Sequence, residues 1–69
     1  LLKDEIEKTV ASAIDELPDD LKTAITLREL EGLSYEEIAQ AMECPIGTVR
    51  SRIFRARDFI DTKLKPLLD

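Results

Sequence analysis

Ser34-Tyr35-Glu36-Glu37-Ile38-Ala39-Gln40-Ala41-Met42-Glu43-Cys44-Pro45-Ile46-Gly47-Thr48-Val49-Arg50-Ser51-Arg52-Ile53-Phe54-Arg55-Ala56-Arg57 is the stretch that decides the fold. Ser34 with Glu37 three residues on forms a capping box, in which the serine hydroxyl caps the Glu37 amide and the Glu37 carboxylate reaches back. A short helix over 34–42 follows, with Ile38, Ala39 and Met42 inward. Glu43, Cys44 and Pro45 interrupt it, because proline disfavours helical geometry in the residue before it yet is tolerated in a new first turn. A second, longer helix is then predicted from about Ile46 to about Lys65, ended by Pro66. Two helices joined by a turn this short make a helix-turn-helix over about 34–57. The small Ala39 lets its two helices approach closely.

Working outward, Leu2, Ile6, Val10, Ala13, Ile14 and Leu17 recur at helical spacing and predict a first helix ending near Leu17. Pro18 fits a first-turn position of a second helix. Asp19 and Asp20 complement that helix's positive end, and Leu21, Ala24, Ile25 and either Leu27 or Leu30 face inward. Gly32 supplies the stop. The expected fold is all-α: a four-helix bundle containing a helix-turn-helix, without a wing, in one domain over 1–69.

Composition narrows the function. With 69 residues, no histidine and one cysteine, the chain has no internal disulfide and no plausible zinc constellation. Catalysis, a metal and a cofactor are therefore not expected. The apolar runs fall short of the roughly 20 residues a membrane span needs, and no leader pattern opens the chain. A reduced, cytoplasmic setting fits. The start at Leu1 suggests a piece of a longer protein. Cys44 reads as a small, buried apolar residue, and Tyr35 as packing at a helix entry.

Charge is unevenly divided. Residues 1–43 carry 12 acids against 4 bases, whereas residues 44–69 carry 6 bases against 3 acids. The net charge of −5 thus hides a basic helix on an acidic body. At about 100° per residue, Val49, Ile53, Ala56 and Ile60 form the core stripe of that helix. Gly47, Ser51, Phe54 and Asp58 lie opposite, flanked by Arg50 and Arg55. Arg52 and Arg57 fall nearer the core boundary, where either a phosphate contact or an ion pair to Glu36 or Glu37 would suit them.

An exposed phenylalanine between arginines has the chemistry of a reading head for DNA. Arginine can pair twice with guanine, serine can bond to base edges or phosphate, and phenylalanine can pack on a thymine methyl. Gly47 leaves the helix start bare, so that its amides and Thr48 can approach a phosphate. The candidate DNA-binding residues are therefore Gly47, Thr48, Arg50, Ser51, Phe54 and Arg55. The acids of the first two helices form a solvated face that also repels DNA or attracts a basic partner.

Leu17-Pro18-Asp19-Asp20-Leu21, Leu27-Arg28-Glu29-Leu30-Glu31-Gly32-Leu33-Ser34-Tyr35-Glu36-Glu37-Ile38-Ala39 and Cys44-Pro45-Ile46-Gly47-Thr48-Val49-Arg50-Ser51-Arg52 together resemble region 4 of bacterial RNA polymerase sigma factors. Within that family, the chain is similar to the extracytoplasmic-function (ECF) group of the sigma-E and alginate-regulator type. Glu43 departs from the pattern, since many relatives have glycine there. The resemblance implies binding of the −35 promoter element through Arg50, Ser51, Phe54 and Arg55, docking on the β flap of RNA polymerase core, and control by an anti-sigma factor. A monomer on a non-palindromic site is expected. Two other readings are a response-regulator output domain, which would dimerise on two-fold sites, and a module that binds only protein.

Overall fold

A computed structural model describes residues 1–68 of the chain. It consists of α1 (Leu2–Glu16), α2 (Asp19–Glu29), α3 (Tyr35–Met42) and α4 (Ile46–Leu68). Among the described residues there is no strand, and hence no wing. The 23 residues of α4 make a rod of about 35 Å, and each of the other helices packs against it. α2 also packs on α3. The longest helix is therefore the spine of the domain.

Its inner stripe follows from helical phase. Val49, Ile53 and Ala56 are buried on α4, and they meet Leu17, Leu21, Ala24, Ile25 and Ile38 from the other elements. Ile60 is half-buried against this core, with Phe59 beside it. On α1, Ala13 is buried and Ile6, Val10 and Ile14 are half-buried, and Leu17 just past its end is buried too. Leu2, placed inward by periodicity, is exposed because the core ends before the first turn of α1. On α2, Leu27 packs against the core while Leu30 points to solvent at 74% exposure.

The junctions show how local chemistry sets direction. Leu17 is extended, at φ −69° and ψ 147°, as the residue before a proline prefers. Pro18 stands one position earlier than its sequence reading: it is the N-cap of α2 and not a first-turn residue. Its ψ of 151° turns the corner, and its carbonyl accepts the Lys22 amide at 2.9 Å. Gly32 closes the other end of α2 at φ 71°, where a side chain would be strained.

The Ser34 and Glu37 capping box is present in both halves. Ser34 Oγ accepts the Glu37 amide at 3.1 Å, and Glu37 Oε1 accepts the Ser34 amide at 2.8 Å. At the far end of α3, the Cys44 amide donates to Ala39 O and the Glu43 amide to Gln40 O, the paired bonds of a Schellman closure. This closure requires a left-handed residue, and Glu43 fills it at φ 52°, ψ 50°.

α4 departs from its expected end. It continues through Pro66 to Leu68 instead of stopping at Lys65. A proline removes one amide donor and crowds the carbonyl of the preceding turn, which disfavours the continuation of a helix without forbidding it.

Candidate nucleic-acid interface

The turn from Glu43 to Pro45 leads into α4. The Pro45 carbonyl accepts the amides of Thr48 and Val49, at 3.0 and 3.3 Å, and starts the new helix. With Val49, Ile53 and Ala56 anchored in the core, the opposite face cannot rotate inward. Gly47, Arg50, Ser51, Phe54 and Arg55 are all exposed, and Thr48 is half-buried. Phe54 stands 71% exposed between its arginine neighbours. A Cβ on Gly47 would meet nothing within 4 Å, so the bare approach there faces open space. No pocket exists among the described residues, and the exposed face belongs to a helix, an element that the major groove of B-DNA admits.

The four arginines do not form one patch. Arg50 and Arg55 have no carboxylate partner among the described residues. Arg52 is 22% exposed, with its Nε 3.6 Å from Asp20 Oδ2 and Nη1 3.7 Å from Cys44 Sγ. Arg57 donates from Nη2 to Glu29 Oε1, with both side chains about half exposed. The ion pairs expected to Glu36 or Glu37 are thus made to α2 instead. Glu37 is committed to its cap, and α2 crosses beneath α4 so that Asp20 at one end and Glu29 at the other reach opposite flanks of the helix.

Electrostatics matches this division. The Glu29 hydrogen bond raises the Arg57 pKa further above its ordinary value, and partial burial opposes this. The backbone hydrogen bond from Ser34, followed by that residue's side chain, lowers the Glu37 carboxyl below its ordinary 4.5.

Arg28 had no role in the sequence reading, yet it organises the approach to the motif. Its Nη1 donates to Leu33 O at 2.9 Å, and its guanidinium lies 5.1 Å from the Tyr35 ring centroid. The available signal was its position in the last turn of α2, where a cation suits the carbonyl end of a helix. Tyr35 is half-buried against the core, as a packing residue should be. Cys44 is free and half-buried, less enclosed than its sequence suggests.

A short capped helix, a left-handed turn and a longer helix with an aromatic and two unpaired arginines outward define the helix-turn-helix class. Comparison with known proteins then places the chain. It belongs to the family described as Sigma-70, region 4, whose pattern matches residues 7–60. It is 68% identical over 68 residues to the RNA polymerase sigma-H factor of Pseudomonas aeruginosa, covering 99% of this chain and 35% of that protein. It is 65% identical to the ECF RNA polymerase sigma-E factor of Haemophilus influenzae, covering 99% of the chain and 36% of the relative. The factor of the same name in Escherichia coli K12 is 62% identical at the same coverage. The chain thus spans about a third of the length of these curated relatives.

Proposed function

We propose that this domain reads the −35 element of bacterial promoters by laying the outer face of α4 in the major groove, while docked on the β flap of RNA polymerase core. The observation that carries this reading is Phe54, exposed between Arg50 and Arg55 on a helix whose inner face is locked in the core. In this reading Arg55 and Ser51 contact bases, Phe54 packs on a thymine methyl, and Arg50 takes a phosphate or a base. Gly47 and Thr48 approach the backbone at the helix start. The role is binding, not catalysis.

Two unpaired arginines on a chain of net charge −5 favour weak binding to free DNA, since phosphate neutralisation supplies most sequence-independent affinity. Tethering by the polymerase raises the local concentration at the promoter, so modest but selective contacts suffice. The domain acts as a monomer in the cytoplasm, with an anti-sigma factor covering its polymerase-binding surfaces. No helix is long and apolar enough to cross a membrane among the described residues. Membership of the sigma-70 region 4 family does not favour the response-regulator alternative.

Selection of duplexes from a random pool tests the proposal, using the chain both alone and fused to a polymerase-tethering element. Enrichment of a non-palindromic sequence, with a monomer in sedimentation, is expected. A palindromic sequence bound by a dimer would refute the monomeric reading. No enrichment, even when tethered, would leave a module that binds only protein.

A further inference from the structure

Glu29 is the last residue of α2, where the helix presents its unsatisfied carbonyls and a carboxylate is electrostatically disfavoured. Helix stability therefore gives no reason for an acid at this position. Its partner supplies one, because Glu29 Oε1 accepts a hydrogen bond from Arg57 Nη2 across 28 residues of sequence.

Arg57 occupies a telling place on α4. Arg50 and Arg57 are seven residues apart, about two turns of helix, and so lie on the same side of Phe54, at the edge of the proposed reading face. Arg57 remains about half exposed. Its hydrogen bond to Glu29, with a weaker contribution from Tyr35, leaves guanidinium donors unused. Arg52 differs, being mostly enclosed and held by both Asp20 and Cys44.

We infer that Glu29 occupies Arg57 and withholds a third arginine from sequence-independent phosphate binding, which keeps the domain's affinity for DNA at large low. The inference rests on the DNA-reading proposal above. A phosphate contact adds to selected and random affinity alike, so holding Arg57 back lowers sequence-independent binding and leaves the ratio between the two unchanged. Glu29 acts as an internal substitute for phosphate, and the base-reading positions then carry a larger share of the binding.

The test is the salt dependence of binding to a random-sequence duplex, measured by fluorescence anisotropy with the 69-residue chain, whose core closes within its own four helices. Glu29→Gln should steepen the slope of log K against log salt by about 0.9, the value for one added phosphate contact. Its gain over wild type should therefore shrink roughly threefold between about 50 and about 200 mM salt. The ratio of selected to random affinity should stay the same, because the added contact is to phosphate. Arg57→Gln alone should match the wild-type slope, and Glu29→Gln/Arg57→Gln should return to it. Glu31→Gln removes a nearby exposed acid with no ion pair and controls for net charge.

An unchanged slope in Glu29→Gln, or one reproduced by Glu31→Gln, overturns the inference. So does a double variant that stays steep, or a shallower slope in Arg57→Gln, which would mean that Arg57 already contacts phosphate. If wild type and Glu29→Gln both fail to bind any duplex at low salt, the inference falls, whereas the DNA reading falls only if the tethered chain enriches no sequence either.

Discussion

Arg52 reaches from the middle of the long helix to Asp20 in the first turn of α2, Nε to Oδ2 at 3.6 Å, while its Nη1 contacts Cys44 Sγ in the turn. One side chain thus ties together three parts of the fold. Arg52→Ala should lower stability by about 1 kcal/mol, more through its packed stem than through the ion pair. At this size that is a fall of about 4–8 °C in melting temperature. Preference among selected duplexes should be retained, and lost preference with unchanged melting would instead make Arg52 a DNA contact.

Phe54 and Arg55 should show the opposite pattern. Phe54 is 71% exposed, so Phe54→Ala should change stability by less than about 0.5 kcal/mol while weakening binding to the selected duplex. Arg55→Ala should cost about 1–3 kcal/mol of binding and relax the preference at one base pair. Equal losses on selected and random duplexes would show that Arg55 holds a phosphate.

Glu43 sits at φ 52° in the turn, where a residue with a Cβ is disfavoured. Glu43→Gly should raise stability by up to about 1 kcal/mol, the relief of strain being partly offset by the greater freedom of glycine in the unfolded chain. Denaturant midpoints measure this directly. A decrease would mean that the Glu43 side chain contributes more than its backbone strain costs.

Glu37 makes stability depend on acidity. Its folded pKa lies below the ordinary 4.5, so its stabilising contribution is complete above that value and is lost as pH falls through the lower, folded one. Wild type should therefore melt above Glu37→Gln near neutrality, with the gap closing in acid. A gap that stays constant with pH would show that the carboxylate charge is not what the capping box uses.

What could be read from the sequence was mostly local. The Ser34 and Glu37 cap, the break at Glu43 to Pro45 and the stripe of Val49, Ile53 and Ala56 each depend on residues a few positions apart, within reach of helical geometry. Phase alone also placed Phe54 outward and Arg52 and Arg57 toward the core boundary. It could not supply their partners, because Asp20 and Glu29 lie 32 and 28 residues away and meet α4 only through the crossing of two helices. Pro66 shows a different gap, since a proline disfavours the continuation of a helix without forbidding it.

On α4, Ile53 and Ala56 are buried while their neighbours Phe54 and Arg55 are exposed. Positions that keep the domain folded and positions proposed to contact DNA therefore alternate along the same few turns without sharing a side chain. Such a domain can be retargeted in small steps: new outward residues can change the sequence it favours while the inward ones, and the melting temperature, stay as they were.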